Sequence, residues 1–185
     1  AQRSTRKAQG RGWPGRAGHS GRAGCDAGSW VMDRRSTPFS GRVAHASLRG
    51  KIDAPLTEGS LARVLWPLVD LLTKPGGARD RQLLLGADVT VIDHDQGHAY
   101  VMAQRDGYCG WVPEASVGAA PQPTHWVPAP ATHLYQGPKV QAPEIASLSL
   151  GARLAVTATT GTWAETPIGF APLTCLSPLD RRAPD

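Results

Sequence analysis

Leu83-Leu84-Leu85-Gly86-Ala87-Asp88-Val89-Thr90-Val91 returns 65 residues later as Leu148-Ser149-Leu150-Gly151-Ala152-Arg153-Leu154-Ala155-Val156. The correspondence continues downstream. Gly97 falls on Gly161 at an offset of 64, and Gly110-Trp111-Val112 falls on Gly169-Phe170-Ala171 at an offset of 59. The second copy is therefore shorter near its end. A repeat of this length is too long for a solenoid unit and suits a small β domain present twice.

Around the first copy the chain reads as short strands between turn signals. Pro67-Leu68-Val69-Asp70-Leu71-Leu72 is an apolar strand stopped by Pro75-Gly76-Gly77. The strand around Val89 and Val91 alternates imperfectly with Thr90 and Ile92, as a strand with little outside surface would. Asp95-Gln96-Gly97 predicts a turn, Ala99-Tyr100-Val101-Met102-Ala103 a strand, Arg105-Asp106-Gly107 a hairpin turn, and Tyr108 to Pro113 a closing strand. Five short strands in about fifty residues predict a small, strongly bent barrel. The second copy repeats the plan. Thr132 to Tyr135 is a strand, Gly137-Pro138 a turn, Leu150 to Val156 a strand, Thr159-Thr160-Gly161 a turn, and Trp163 to Thr166 and Gly169 to Leu173 two more strands.

The expected organisation is all-β: two small SH3-like barrels in tandem after a disordered N-terminal tail. Residues 1–31 form the tail, 32–63 a segment wrapping the next domain, 64–118 the first barrel, 119–125 a Pro-rich linker, 126–179 the second barrel, and 180–185 the start of a further linker. Arg42 to Leu48 fits either a strand or a short helix.

Charge is distributed unevenly. The chain carries a net +5, and residues 1–31 alone supply it: Arg3, Arg6, Lys7, Arg11, Arg16 and Arg22 face only Asp26. The remainder balances to zero, so a basic surface on the folded part is not expected. The tail holds seven glycines and no hydrophobic periodicity, which is the composition of a segment that stays disordered. It resembles an arginine-glycine RNA-binding tail. The alternative is that translation starts at Met32. No apolar core of a secretory signal occurs in it, and no stretch reaches the length of a transmembrane helix. A cytoplasmic location is expected, with the cell envelope as alternative; no membrane partner is expected, and nucleic acid is disfavoured.

Cys25, Cys109 and Cys175 make an odd count without CxxC spacing, so neither a disulfide framework nor a zinc site is indicated. Cys109 and Cys175 read as small buried hydrophobes. The six histidines (19, 45, 94, 98, 125 and 133) show no metal-ligand spacing, so no metal and no cofactor is expected. Pairing Cys109 with His94 or His98 as a nucleophile and base rests on sequence proximity alone; a cysteine on a closing strand is usually buried and inert. No catalytic residue is assigned.

Leu85-Gly86-Ala87-Asp88-Val89-Thr90-Val91, followed by Asp106-Gly107-Tyr108-Cys109-Gly110-Trp111-Val112, resembles a bacterial SH3 (SH3b) domain. Asp106-Gly107 would make the tight hairpin, Gly110 would let the backbone pass close to a neighbouring strand, and Trp111 would cover one end of the barrel. The second copy keeps Gly169-Phe170 and loses the Asp-Gly turn. A segment like Asp33-Arg34-Arg35-Ser36-Thr37-Pro38-Phe39 ahead of two such units is similar to the N-terminal half of NlpC-family cysteine peptidases, which hydrolyse the γ-D-glutamyl to diamino acid bond of murein peptides. The resemblance implies a non-catalytic substrate-recognition region for such an endopeptidase, with a catalytic domain following Asp185. Its partners would be peptidoglycan or a muropeptide.

In that family the first SH3b domain lines part of the substrate groove. If this carries over, Tyr100, Asp106, Tyr108 and Trp111 are the candidate ligand-binding residues. The carboxylate would pair with a ligand ammonium and an aromatic would pack on its alkyl part. Structural roles compete for each: Trp111 as core, Asp106 as turn former. Trp163 and Phe170 are expected to pack the second barrel or the interface between domains. The alternatives are a stand-alone cell-wall-binding protein and RNA binding through the basic tail.

Overall fold

The computed structural model describes residues 32–180. The expected disordered tail, and most of the expected final linker, lie outside the described residues. Within them the secondary structure is strands and single 3-10 turns. Strand β1 is Ala44–His45, β2 Leu56–Thr57, β3 Ser60–Val64, β4 Leu68–Leu72, β5 Arg79–Leu84, β6 Asp88–Asp95, β7 His98–Ala103, β8 Cys109–Pro113 and β9 Val117–Gly118. The rest are β10 His125–Trp126, β11 Ala131–Tyr135, β12 Glu144–Ser149, β13 Arg153–Leu154, β14 Ala158–Thr160, β15 Trp163–Thr166, β16 Gly169–Pro172 and β17 Ser177–Pro178. The protein is all-β, as its turn chemistry predicts.

The first copy is a seven-stranded sheet in the order β5-β4-β8-β7-β6-β3-β9. The second uses the same pairings in two pieces, β12-β11-β16-β15-β14 and β13-β10-β17. The pieces correspond because β3 joins β6 and β9 just as β10 joins β13 and β17. The difference is at β6. It runs eight residues in the first copy, whereas its counterpart is interrupted after Leu154 and resumes at Ala158. The strand expected over Leu150 to Val156 is accordingly reduced to Arg153–Leu154, because Leu150 to Ala152 make the turn that positive-φ Gly151 allows. Neither sheet closes into a ring of paired strands, so the expected barrels are SH3-like sheets with open edges.

The first core lies on one face of its sheet: Val64, Val69, Leu71, Leu83, Val89, Val91, Ala99, Val101, Ala103 and Val112. These are alternate residues of each strand, the period-two pattern of a pleated sheet. The β6–β7 hairpin turns on Gln96 and Gly97, both at positive φ, the two-residue turn whose twist matches the flanking strands. Gly110 carries no side chain because a Cβ there would sit 2.7 Å from Leu71 Cγ and 3.0 Å from the Leu72 carbonyl oxygen.

Tyr100, Trp111, Cys109 and Ile92 occupy the opposite, outer face and form a second buried cluster with Leu72, Met102 and Val43. Trp111 therefore does not cover a barrel end. It packs against Tyr100 with ring centroids 5.2 Å apart, beneath the segment that precedes the sheet. That segment is tied down along its length. Arg35 O accepts the Cys109 N–H at 2.7 Å, Tyr100 donates its hydroxyl to Thr37 O at 3.1 Å, and Ser40 donates to Asp93 at 2.7 Å. Arg34 binds Asp80 at 2.6 Å, and Arg42 binds Asp93 at 3.1 Å and Asp95 at 3.0 Å. This cover buries both faces of β6 and explains its imperfect alternation. Beyond it, Arg42 to Leu48 is both of its alternatives in turn: β1, then a 3-10 turn over Ala46–Leu48.

The two copies meet at the run that defines the repeat. Leu85 is buried in the second core with Val127, Leu134, Leu148, Ala152, Leu154 and Ala171. Gly86, at φ +73°, has Arg153 backbone where a Cβ would stand. Asp88 receives Arg63 at 2.8 Å and Arg153 at 3.6 Å, bridging the copies.

Candidate functional site

The structure divides the four candidate residues into two pairs. Tyr100 and Trp111, only 2% and 5% exposed, lie beneath residues 34–43. Burial is the main cause that pushes the Tyr100 hydroxyl far above its ordinary pKa, so it remains a neutral donor to the Thr37 carbonyl. Both hold the N-terminal segment to the sheet.

Asp106 and Tyr108 are at the surface, on the β7–β8 turn. Asp106 accepts the Tyr108 backbone N–H at 3.2 Å, which closes the turn together with Gly107 at φ +71°. The register of β4 with β5 sets Arg81 beside this turn. Its guanidinium pairs with Asp106 at 2.7 Å and lies 4.9 Å from the centre of the Tyr108 ring. The other side of Tyr108 packs against the first core. Asp80, next along β5, is bound by Arg34 and approached by Arg35 at 3.6 Å. The Arg34 hydrogen bond is the largest cause holding the Asp80 carboxyl below its ordinary range, against the opposing effect of burial.

Arg81, Asp106 and Tyr108 thus present a guanidinium, a carboxylate and an aromatic face within one turn of chain and one neighbouring strand. Such a group can take a zwitterionic ligand, with a carboxylate on Arg81 and an ammonium on Asp106. A partly exposed ion pair contributes only about 0–1 kcal/mol, so exchanging it for ligand contacts costs little. Arg81 escapes sequence reading, since only cross-strand register brings it to the turn.

Beside this turn Cys109 is fully buried, and burial pushes its thiol up to about 11. Its Sγ donates to Gly107 O at 3.3 Å, while His94 pairs with Glu114 and the ring of His98 with Gln96 O. A thiol in that state is a poor nucleophile. Cys175 is half-buried rather than fully buried. Among the described residues no group of three His, Cys, Asp or Glu gathers as a metal site, and no helix is long and apolar enough to cross a membrane.

Open hollows adjoin the first sheet, three of which touch the strands that carry its charged and apolar edges. One of about 430 Å³ is lined by Trp66, Leu68, Asp70, Leu72, Gln82 and Pro113 on the outer face. A largely apolar one of about 270 Å³ lies at the junction of the copies between Leu65, Leu85, Pro123, Leu154 and Ile168. A third of about 500 Å³ lies over Arg63, Asp88 and Gln104.

Residues 71–117 match the family model of the bacterial dipeptidyl-peptidase SH3 domain. The matched stretch begins in β4 and ends at β9, so it spans the turn bearing Asp106 and Tyr108. Among solved structures, an NlpC/P60 family protein from Bacillus cereus ATCC 10987 is similar at a TM-score of 0.52 with 19% identity, covering 64% of this chain. The chain spans 56% of the length of that protein. NlpC1 from Trichomonas vaginalis aligns at 12% identity and a TM-score of 0.28, over 63% of this chain and 45% of its own. No curated protein matches the sequence. The stretch that carries the Asp106–Tyr108 turn matches a bacterial SH3 domain, in a chain that shares its fold with an NlpC/P60 family protein.

Proposed function

We propose that this chain is a peptidase-associated, non-catalytic recognition region that binds murein peptides for a γ-D-glutamyl-diamino acid endopeptidase domain. The observation that carries the reading is the Arg81–Asp106–Tyr108 group, set in a bacterial SH3 domain. A murein peptide offers free carboxylates and ammonium groups on short alkyl chains, which these three side chains complement. Recognition then needs no nucleophile from this chain; bond cleavage would belong to the partner domain.

Titration of the full chain with the released peptide L-Ala-γ-D-Glu-diaminopimelate by calorimetry tests this. Saturable binding, weakened at least tenfold by Arg81→Ala and by Asp106→Asn, is the expected result. Binding that neither substitution alters would overturn it. Retention on intact sacculi with no affinity for released peptide would replace it by stand-alone cell-wall binding.

A further inference from the structure

The repeat lets one face be read against the other. Across the first sheet, Leu72, Trp111, Tyr100 and Asp93 stand in register on β4, β8, β7 and β6. Across the second, the same positions are Tyr135, Phe170, Glu165 and Ala158 on β11, β16, β15 and β14. The first row is roofed by residues 34–43, which cross it as an irregular run of turns and bends. Three of their guanidiniums land on Asp80, Asp93 and Asp95.

The second row has no roof among the described residues. Tyr135 and Phe170 are half-buried and Glu165 is exposed. Trp163 lies alongside, edge-on to Tyr135 at 5.4 Å, and Glu144 is at the far edge with His133 at 2.9 Å. The strands β11, β12, β14, β15 and β16 hold no Lys or Arg, while Glu165 has no ion-pair partner among the described residues. An aromatic row with unopposed carboxylate charge attracts a guanidinium by both ring and ion-pair contacts.

We propose that the Tyr135–Phe170–Glu165 face of the second repeat docks a non-helical, arginine-bearing peptide segment of a partner protein, as the first repeat holds its own residues 34–43. The first repeat supplies the geometry of the occupant, a non-helical, turn-containing length of chain laid over aromatic rings. The charge of the second supplies its chemistry. Trp163 and Phe170, expected to pack the second barrel or the interface between domains, lie on the outer face and outside the second core.

The probe is a synthetic peptide of the residue 34–43 sequence, titrated into the full-length chain and followed by amide chemical shifts. The control is the same peptide with its three arginines replaced by glutamate. Saturable binding with shifts centred on Tyr135, Trp163, Glu165 and Phe170 is expected, with no binding of the control. Glu165→Lys, a change on an exposed side chain that leaves the core intact, should weaken binding at least tenfold and confer binding of the control. Absence of saturation, shifts confined to the first repeat, or equal binding by Glu165→Lys would overturn the proposal. So would concentration-dependent dimerisation abolished by Glu165→Lys, which would make a second copy the occupant.

Discussion

Arg153 donates its backbone N–H to the carbonyl of Leu85 at 2.9 Å, and the Leu85 side chain is buried in the core of the opposite repeat. The first copy thus completes the core of the second at the very run that repeats. Leu85→Ala should cost about 2–5 kcal/mol, the range for emptying a buried leucine site. Because the second core loses the atoms, the loss should appear in urea unfolding as earlier exposure of Trp163. Gly86→Ala attacks the same contact through the backbone, since it adds a Cβ at positive φ against Arg153; it should lower the melting temperature and perturb Arg153 amide protection.

Gly110→Ala should destabilise by about 1–3 kcal/mol through overpacking, because the new methyl meets Leu71 Cγ and the Leu72 carbonyl where β8 crosses β4. Gly107→Ala meets nothing within 4 Å but keeps a positive φ, so its smaller penalty is conformational. Denaturant midpoints of the two variants measure the difference.

Cys109 should resist alkylation in the native state at pH 8 and react only on unfolding. It is fully buried, and desolvation holds its thiol at about 11. Half-buried Cys175 should label before Cys109. Peptide mapping after timed iodoacetamide treatment separates the two.

Below about pH 4 the clamp on the N-terminal segment should weaken. Burial raises the Asp93 carboxyl, yet hydrogen bonds from Ser40 and the His94 N–H, with Arg42, hold it below its ordinary 3.8. A depressed folded value means the unfolded chain binds the proton first. The stabilisation is therefore complete above the ordinary carboxylate range and is lost as pH falls through the depressed value. Urea midpoints measured from pH 6 to pH 2.5 should fall for the native chain. In Asp93→Asn the decline should be shallower, with a lower midpoint at pH 6.

Much was legible before the structure because it is written locally. The Asp-Gly and Gln-Gly turns, the apolar runs between them and the 65-residue repeat specify an all-β chain and its SH3 resemblance, since turn geometry and strand pleat depend on neighbours in sequence. Tyr100, Asp106, Tyr108 and Trp111 could be selected as polar-tipped or aromatic residues of one hairpin, but not sorted. Tertiary structure decided that residues 34–43 cover Tyr100 and Trp111, that Arg81 arrives beside Asp106, and that Leu85 enters the second core. Each of these depends on which face a residue takes and which distant strand it meets. A side chain's neighbours across a sheet are fixed by register, and register is set only when the whole set of hydrophobic faces is buried at once.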